Sequence, residues 1–398
     1  MPATPAAGCS PAESRCLELA ERSVGLSEPN PRVGCLIVTR QGDWVEGHTQ
    51  AAGQAHAEAH ALLQAQQRGL DVRGAEVFVT LEPCSHQGRT PPCSAALVAA
   101  GVARVHVAHP DPNPLVSGQG LAQLRAAGIE VRLDSGAWRA AARPLNLGFF
   151  SRMQRHQPWV RMKTASSLDG TTALTNGSSQ WITGPEARQD GHHWRRRAGA
   201  VLTGMGTVKA DNPRLDVRGV DTAVQPLRVV LDSRLELEAK ARVLQPPGRC
   251  LVFTVNRDER ARRTLEALPG VEVVVMEDPV GPTPAKTDLA AVLHELARRG
   301  VNELHLEAGE KLNGSFLRAG LVDEWLMYLA PKVLGPGQGL ASVFPQGLSR
   351  LDEGLQLAAL DQAQVGTDLR LRWLTARGQA FWPAGPAGSA ASAGPVGS

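Results

Sequence analysis

The chain is short of aromatic residues, of cysteine and of net charge, and each shortage speaks against a class of function. Aromatic residues make up 4% of 398 positions, with a single Tyr, too few for the stacking platforms on which single strands and flipped bases are held. The net charge is +3 and no long basic block occurs, so nothing calls for a nucleic-acid or membrane partner. The densest run, Arg195-Arg196-Arg197, reads as a solvated helix face. No apolar run approaches the ~20 residues of a membrane helix, and residues 1–10 have neither the basic start nor the apolar core of a secretory signal. The six cysteines are too sparse and irregular for a secreted disulfide framework, which points to a reducing, cytoplasmic setting.

The length allows about two domains. Residues 11–26 suit an amphipathic helix, Glu28-Pro29-Asn30-Pro31 a loop, and residues 33–46 a hairpin turning at Gly42-Asp43. An Ala-rich helix to about Arg68, a strand over 76–81, a helix over 92–100 closed by Gly101, and a further strand, helix and strand complete a first α/β unit spanning 11–150. The pattern restarts at Trp159, and strands alternating with helices predict a second α/β unit over 156–376. Thr183-Gly184-Pro185-Glu186 reads as a capping box opening a helix to about Arg197. Residues 377–398 are Pro/Ala/Gly/Ser-rich, and a disordered tail is expected there.

Chemistry concentrates first at His56, Cys84 and Cys93. One imidazole and two thiolates form a donor set that suits zinc and leaves a fourth position for water. Glu58, two residues after His56, is placed to take that water's proton and pass it to a leaving group. His-x-Glu followed by Pro-Cys and a second Cys is similar to the zinc deaminase signature. A structural zinc knot is the alternative, and Glu58 stands against it. A metalloprotease pairing of His56 with His60 fails, because its glutamate would have to be residue 57. His60 is assigned to packing or solvent, and Cys35 to the core. In the second unit, Gly309-Glu310-Lys311-Leu312-Asn313-Gly314-Ser315 follows an apolar strand and precedes a helical run over 316–319, the way backbone amides are aimed at a phosphate. It is neither a Walker motif nor GxGxxG, and an ordinary turn remains open. Gly204-Met205-Gly206-Thr207 has the same character.

A longer set of motifs narrows the reading. Residues 82–93, reading EPCSHQGRTPPC, with Asn30-Pro31-Arg32-Val33-Gly34 before and Asp111-Pro112-Asn113-Pro114 after, resemble the bifunctional riboflavin biosynthesis protein family, a pyrimidine deaminase fused to a reductase. The eight residues between Cys84 and Cys93 depart from many deaminases and match this family. Residues 163–170, 179–183 and 306–309 resemble its reductase half.

The resemblance implies an N-terminal cytidine-deaminase-like three-layer α/β/α domain and a C-terminal dihydrofolate-reductase-like α/β domain, with zinc and NADPH as cofactors. It implies zinc at His56, Cys84 and Cys93, and Glu58 as the catalytic proton shuttle. Asn30 and the loop over 85–90 would help hold the substrate; Arg89 suits a phosphate, with a surface role as the alternative. The cofactor would be held by Ala165, Trp181, Thr207, Asp211, Ser233, Gly309, Glu310, Lys311, Leu312, Asn313, Gly314 and Ser315. Ser179, Arg195, Leu215, Arg218 and Glu307 would meet the substrate. Arg195 and Arg218 would fork onto the ribose phosphate, and Asp211 would handle protons or simply form a turn. The implied substrate is a phosphoribosylaminopyrimidine, and an assembly of like chains is expected. Two rivals stay open: a zinc deaminase of another nucleobase or nucleic acid with a non-catalytic second domain, and a non-catalytic zinc module.

Overall fold

A computed structural model of the chain describes residues 7–85, 91–113, 116–277, 286–340, 344–345 and 347–382. Arg89, Pro114 and the last sixteen positions, 383–398, thus lie outside the described residues. The first unit runs α1 (Pro11–Glu21), β1 (Gly34–Val38), β2 (Trp44–His48), α2 (Ala57–Gln67), β3 (Glu76–Val79), α3 (Cys93–Ala100), β4 (Arg104–Val107), α4 (Gln119–Ala126), β5 (Glu130–Leu133), α5 (Ala137–Ala142) and α6 (Leu147–Arg155). Its five strands lie in the order β2-β1-β3-β4-β5. The β1–β2 hairpin is antiparallel, as its turn residues dictate, while β3, β4 and β5 are parallel. Ala57, Ala61, Leu97 and Leu124 bury one sheet face under α2, α3 and α4, and Cys16, Trp138 and Ala142 bury the other under α1 and α5. Three layers result. Gly47 lets α2 lie directly on β2, since a Cβ there would collide with the Ala57 carbonyl, and this contact sets the height of His56 at the helix start.

The second unit runs β6 (Trp159–Ser167), β7 (Thr171–Leu174), α7 (Pro185–Arg197), β8 (Ala200–Gly204), α8 (Met205–Asp211), β9 (Leu227–Leu231), β10 (Cys250–Thr254), α9 (Glu259–Glu266), β11 (Val271–Val275), α10 (Leu289–Arg298), β12 (Glu303–Leu306), α11 (Glu310–Arg318), β13 (Glu324–Ala330), β14 (Gly337–Gly339), β15 (Ala358–Val365), β16 (Asp368–Leu374) and α12 (Ala376–Phe381). Nine strands form one sheet, β11-β10-β9-β8-β12-β6-β13-β16-β15, and β7 pairs with β14 as a separate ribbon. The sheet is parallel from β11 to β13, and β16 and β15 close it antiparallel. Val292, Leu296 and Phe316 pack α10 and α11 on one apolar face. Against α7 the sheet instead carries a buried polar layer that includes Arg161, Glu303, His305 and Glu324.

Three expectations are corrected. The residue capping α7 is Gly184, whose N–H is taken by Asp368 Oδ2 at 2.6 Å from the far end of the sheet, so Thr183 and Glu186 form no capping box. Helix α11 starts at Glu310, six residues before the predicted helical run, and absorbs most of the supposed glycine turn. The tail expected from residue 377 begins instead with α12. Arg143 and Arg155 lie over the Phe381 ring at 5.2 and 4.1 Å, and Arg377 bonds Asp323 Oδ1 at 2.9 Å, contacts that a composition argument cannot foresee.

Candidate active site

The carboxyl end of β3 delivers Cys84, and the N-termini of α2 and α3 deliver His56 and Cys93. His56 Nδ1 lies 3.6 Å from both Cys84 Sγ and Cys93 Sγ. Bonds of ~2.0 Å to nitrogen and ~2.3 Å to sulfur at a tetrahedral centre give an edge of about 3.5 Å. The three donors therefore fit zinc without rearrangement, and these ligand atoms all lie within 4.8 Å of one another. A backbone donor supports one of the sulfurs, Cys93 N–H pointing at Cys84 Sγ at 3.3 Å. The hydrogen bond from the Cys93 thiol, with help from His56, pulls the Cys84 thiol down to about 4, while the Cys84 thiolate and burial push Cys93 up. A lowered thiol favours the thiolate form that metal ligation requires. His56 is raised chiefly by its bond to Cys84.

Glu58 sits in the first turn of α2 and is 4% exposed. Burial, then the Cys84 thiolate, push its carboxyl up to about 7, a value suited to gaining and losing a proton near neutrality. His60, one turn on, turns away to Gln50, Gln64 and the edge of His48. Cys35 is fully buried in β1.

The residues named for the second unit gather mainly at the carboxyl ends of β8 and β12. Gly309 N–H donates to Thr207 Oγ1 at 3.1 Å, so the starts of α8 and α11 lie side by side. Ser179 Oγ donates to Asp211 Oδ1 at 3.1 Å. Glu307 is gripped by Arg195 through Nε at 2.5 Å and Nη2 at 2.9 Å, while Arg195 Nη1 reaches Asp216 O. Arg218 bonds the carboxylate of Asp216. Both guanidinium forks expected on a phosphate therefore face carboxylates of this chain. Leu215 holds a positive φ of 55° beside them. Ala165 lies in β6 opposite Tyr328. Ser233 sits further along the sheet, receiving Thr287 N–H at 3.1 Å, and Trp181 is 65% exposed under the Arg188 guanidinium.

Lys163 stands out among residues the sequence reading quoted without giving a role. Desolvation, against the pull of Glu307, lowers its ammonium, and a half-buried lysine near a carboxylate is a candidate proton donor. His305 is fully buried with Nε2 3.3 Å from Glu307 Oε1. No local motif marks either residue; alternation counted back along β12 from Glu307, the residue just past its end, would have placed His305.

A His/Cys/Cys donor set with a buried glutamate beside it is the arrangement of a cytidine-deaminase-type centre, and it is joined to a mostly parallel nine-stranded α/β unit with paired helix starts. Residues 12–109 match the cytidine and deoxycytidylate deaminase zinc-binding region, and residues 158–371 match the RibD C-terminal domain. The chain is 41% identical over 372 residues to the riboflavin biosynthesis protein RibD of Escherichia coli, covering 90% of this chain and 97% of that one. Identity to the Aquifex aeolicus protein of that name is 39% over 355 residues, covering 89% and 94%. Among solved structures, Acinetobacter baumannii RibD superposes with a TM-score of 0.81 at 40% identity, covering 92% of this chain and 98% of that one. A Thermotoga maritima deaminase/reductase gives 0.80 at 32%, covering 92% and 97%. The chain belongs to the RibD family. It is a bifunctional enzyme of riboflavin biosynthesis, zinc-dependent in its deaminase half and NADPH-dependent in its reductase half.

Proposed function

We propose that residues 11–150 deaminate 2,5-diamino-6-(5-phosphoribosylamino)pyrimidin-4-one and that residues 156–376, braced by α12, reduce the ribosyl group of the product to ribityl. The Thermotoga maritima relative is described as a diaminohydroxyphosphoribosylaminopyrimidine deaminase and 5-amino-6-(5-phosphoribosylamino)uracil reductase. The observation that carries the first half is Glu58, buried beside a donor set that fits zinc. His56, Cys84 and Cys93 would hold the metal, which supplies an activated water when bound. Glu58 takes the proton of the attacking water and hands it to the departing amine, so ammonia leaves and a carbonyl remains.

In the second half, NADPH supplies the hydride when bound. The amides at the start of α11 and the Thr207 hydroxyl receive cofactor phosphate. Lys163 donates the proton that lets the sugar ring open, the Arg195–Glu307 pair orients the sugar, and Asp211, held by Ser179, is a second proton-handling group. The six free cysteines suit a reducing cytoplasm, and among the described residues no helix is long and apolar enough to cross a membrane. An assembly of like chains belongs to the same reading.

Glu58→Gln tests the deaminase assignment. It removes the proton shuttle and no ligand, so zinc content stays at the wild-type level while ammonia release falls roughly 10²–10⁴-fold. Undiminished release at unchanged zinc ends the assignment.

A further inference from the structure

Glu82 is 4% exposed and ligates nothing, yet its carboxylate gathers four backbone N–H groups from one stretch of chain. Oε2 accepts from Asp111 at 3.1 Å and Gly118 at 3.0 Å. Oε1 accepts from Gly120 at 2.9 Å and Leu121 at 3.4 Å. Its own N–H donates to His109 O at 2.9 Å. The last two amides are orphan donors of the first turn of α4, so a carboxylate from another element caps this helix. Gly120 lies so close to the Cys84 turn that a Cβ would collide with the Pro83 carbonyl. One turn along α4, Gln123 Oε1 accepts from Ser94 Oγ at 2.6 Å, and that hydroxyl also lies 3.0 Å from Cys84 O. Glu82 therefore ties the segment after β4 to the backbone that carries both cysteines.

We infer that Glu82 is a positioning residue of the deaminase step, holding the segment around Asp111–Asn113 at a fixed distance from the His56, Cys84 and Cys93 centre as a wall of the pyrimidine site. This rests on the deaminase reading above. Chemistry favours a carboxylate at this place, because four convergent N–H donors want an acceptor-only group with two oxygens. Glutamine offers one acceptor oxygen and sets an NH2 against donors.

Glu82→Gln separates positioning from metal retention and from folding. The metal-loaded full chain is assayed for zinc content, for ammonia release and for NADPH oxidation on the preformed deaminated pyrimidine. The expected result is a KM for the diaminopyrimidine raised roughly tenfold, kcat changed by less than about threefold, and zinc content and reductase rate unchanged. Gly120→Ala, which forces α4 off the Pro83 carbonyl while keeping Glu82, moves KM in the same direction. An unchanged KM in Glu82→Gln overturns the inference. So does loss of zinc or of reductase activity in parallel, which would make Glu82 a ligand-retention or folding residue. A wild-type chain that releases no ammonia would instead sink the deaminase reading itself.

Discussion

At the scale of single residues, one cluster buries its charges by pairing them. Glu303, 2% exposed, receives Arg32 Nη1 at 2.5 Å, Arg161 Nη1 at 2.9 Å and Arg197 Nε at 3.2 Å. Burial alone would raise its carboxyl, but Arg197, Arg32 and Arg161 outweigh burial and hold it far below the usual range. Glu324, between Arg161 and Arg372, is likewise brought down to about 2. Carboxylates depressed in the folded state contribute stability that is complete above their unfolded value near 4.5 and is lost as pH falls through the folded one. Tm should therefore fall steadily from about pH 5 downward. Glu303→Gln leaves the buried Arg32 and Arg161 and the partly buried Arg197 short of a partner and should cost ~3–5 kcal/mol in urea unfolding at neutral pH. A Tm insensitive to pH between about 5 and 3, or a neutral Glu303→Gln, contradicts this. The grouping of His56, Cys84 and Cys93 was legible in the sequence because their spacing carries the chemistry. The Glu303 cluster was not, because Arg32 and Glu303 stand 271 positions apart and nothing local marks either.

Among elements, the strands and most helices follow from periodicity, and the errors fall where a distant group decides. Asp368 caps α7 from across the sheet, a role that a Thr-x-x-Glu string imitates without filling. The β15–β16 hairpin goes unpredicted although residues 368–373, DLRLRW, alternate, because two of the alternate positions are arginines. They are partly buried against Glu324, Asp361 and Asp190 on the polar face beneath α7. Helix α11 runs through Gly314, which reads locally as a breaker but is buried within the helix. Gly309 at its start is different: a Cβ there meets nothing closer than Thr207 Oγ1 at 3.9 Å. Gly309→Val should consequently fold and project into the approach to the two helix starts. Substrate-dependent NADPH oxidation should drop at least roughly tenfold with ammonia release unchanged; retained oxidation would remove this turn from the cofactor site.

At the scale of the whole molecule, the first unit docks on the amino ends of the second unit's strands. Asn302 N–H and Nδ2 donate to Glu28 at 2.9 and 2.8 Å, Arg32 reaches Glu303, and Asn146 bonds both the N–H and the carbonyl of Arg32. The candidate cofactor and substrate residues of the reductase cluster at the other, carboxyl ends, near Glu307 and Gly309. The sheet stands between the domain junction and the reductase site, and a cavity of about 380 Å³ at the junction is lined by Arg161, Trp194, Arg197 and Glu303 and by none of the candidate site residues. Two α/β units were readable from the restart of the strand pattern at Trp159. Their mutual placement was not, since it depends on buried pairs between residues that the sequence keeps far apart.

The central claim is that one chain performs two reactions in order, and a single assay of the intact protein with the diaminopyrimidine, with and without NADPH, tests it most directly. The prediction is ammonia release in both conditions, and NADPH oxidation that requires the pyrimidine and approaches one equivalent per ammonia released. NADPH oxidised without ammonia release, or ammonia released with no oxidation following, would contradict the account.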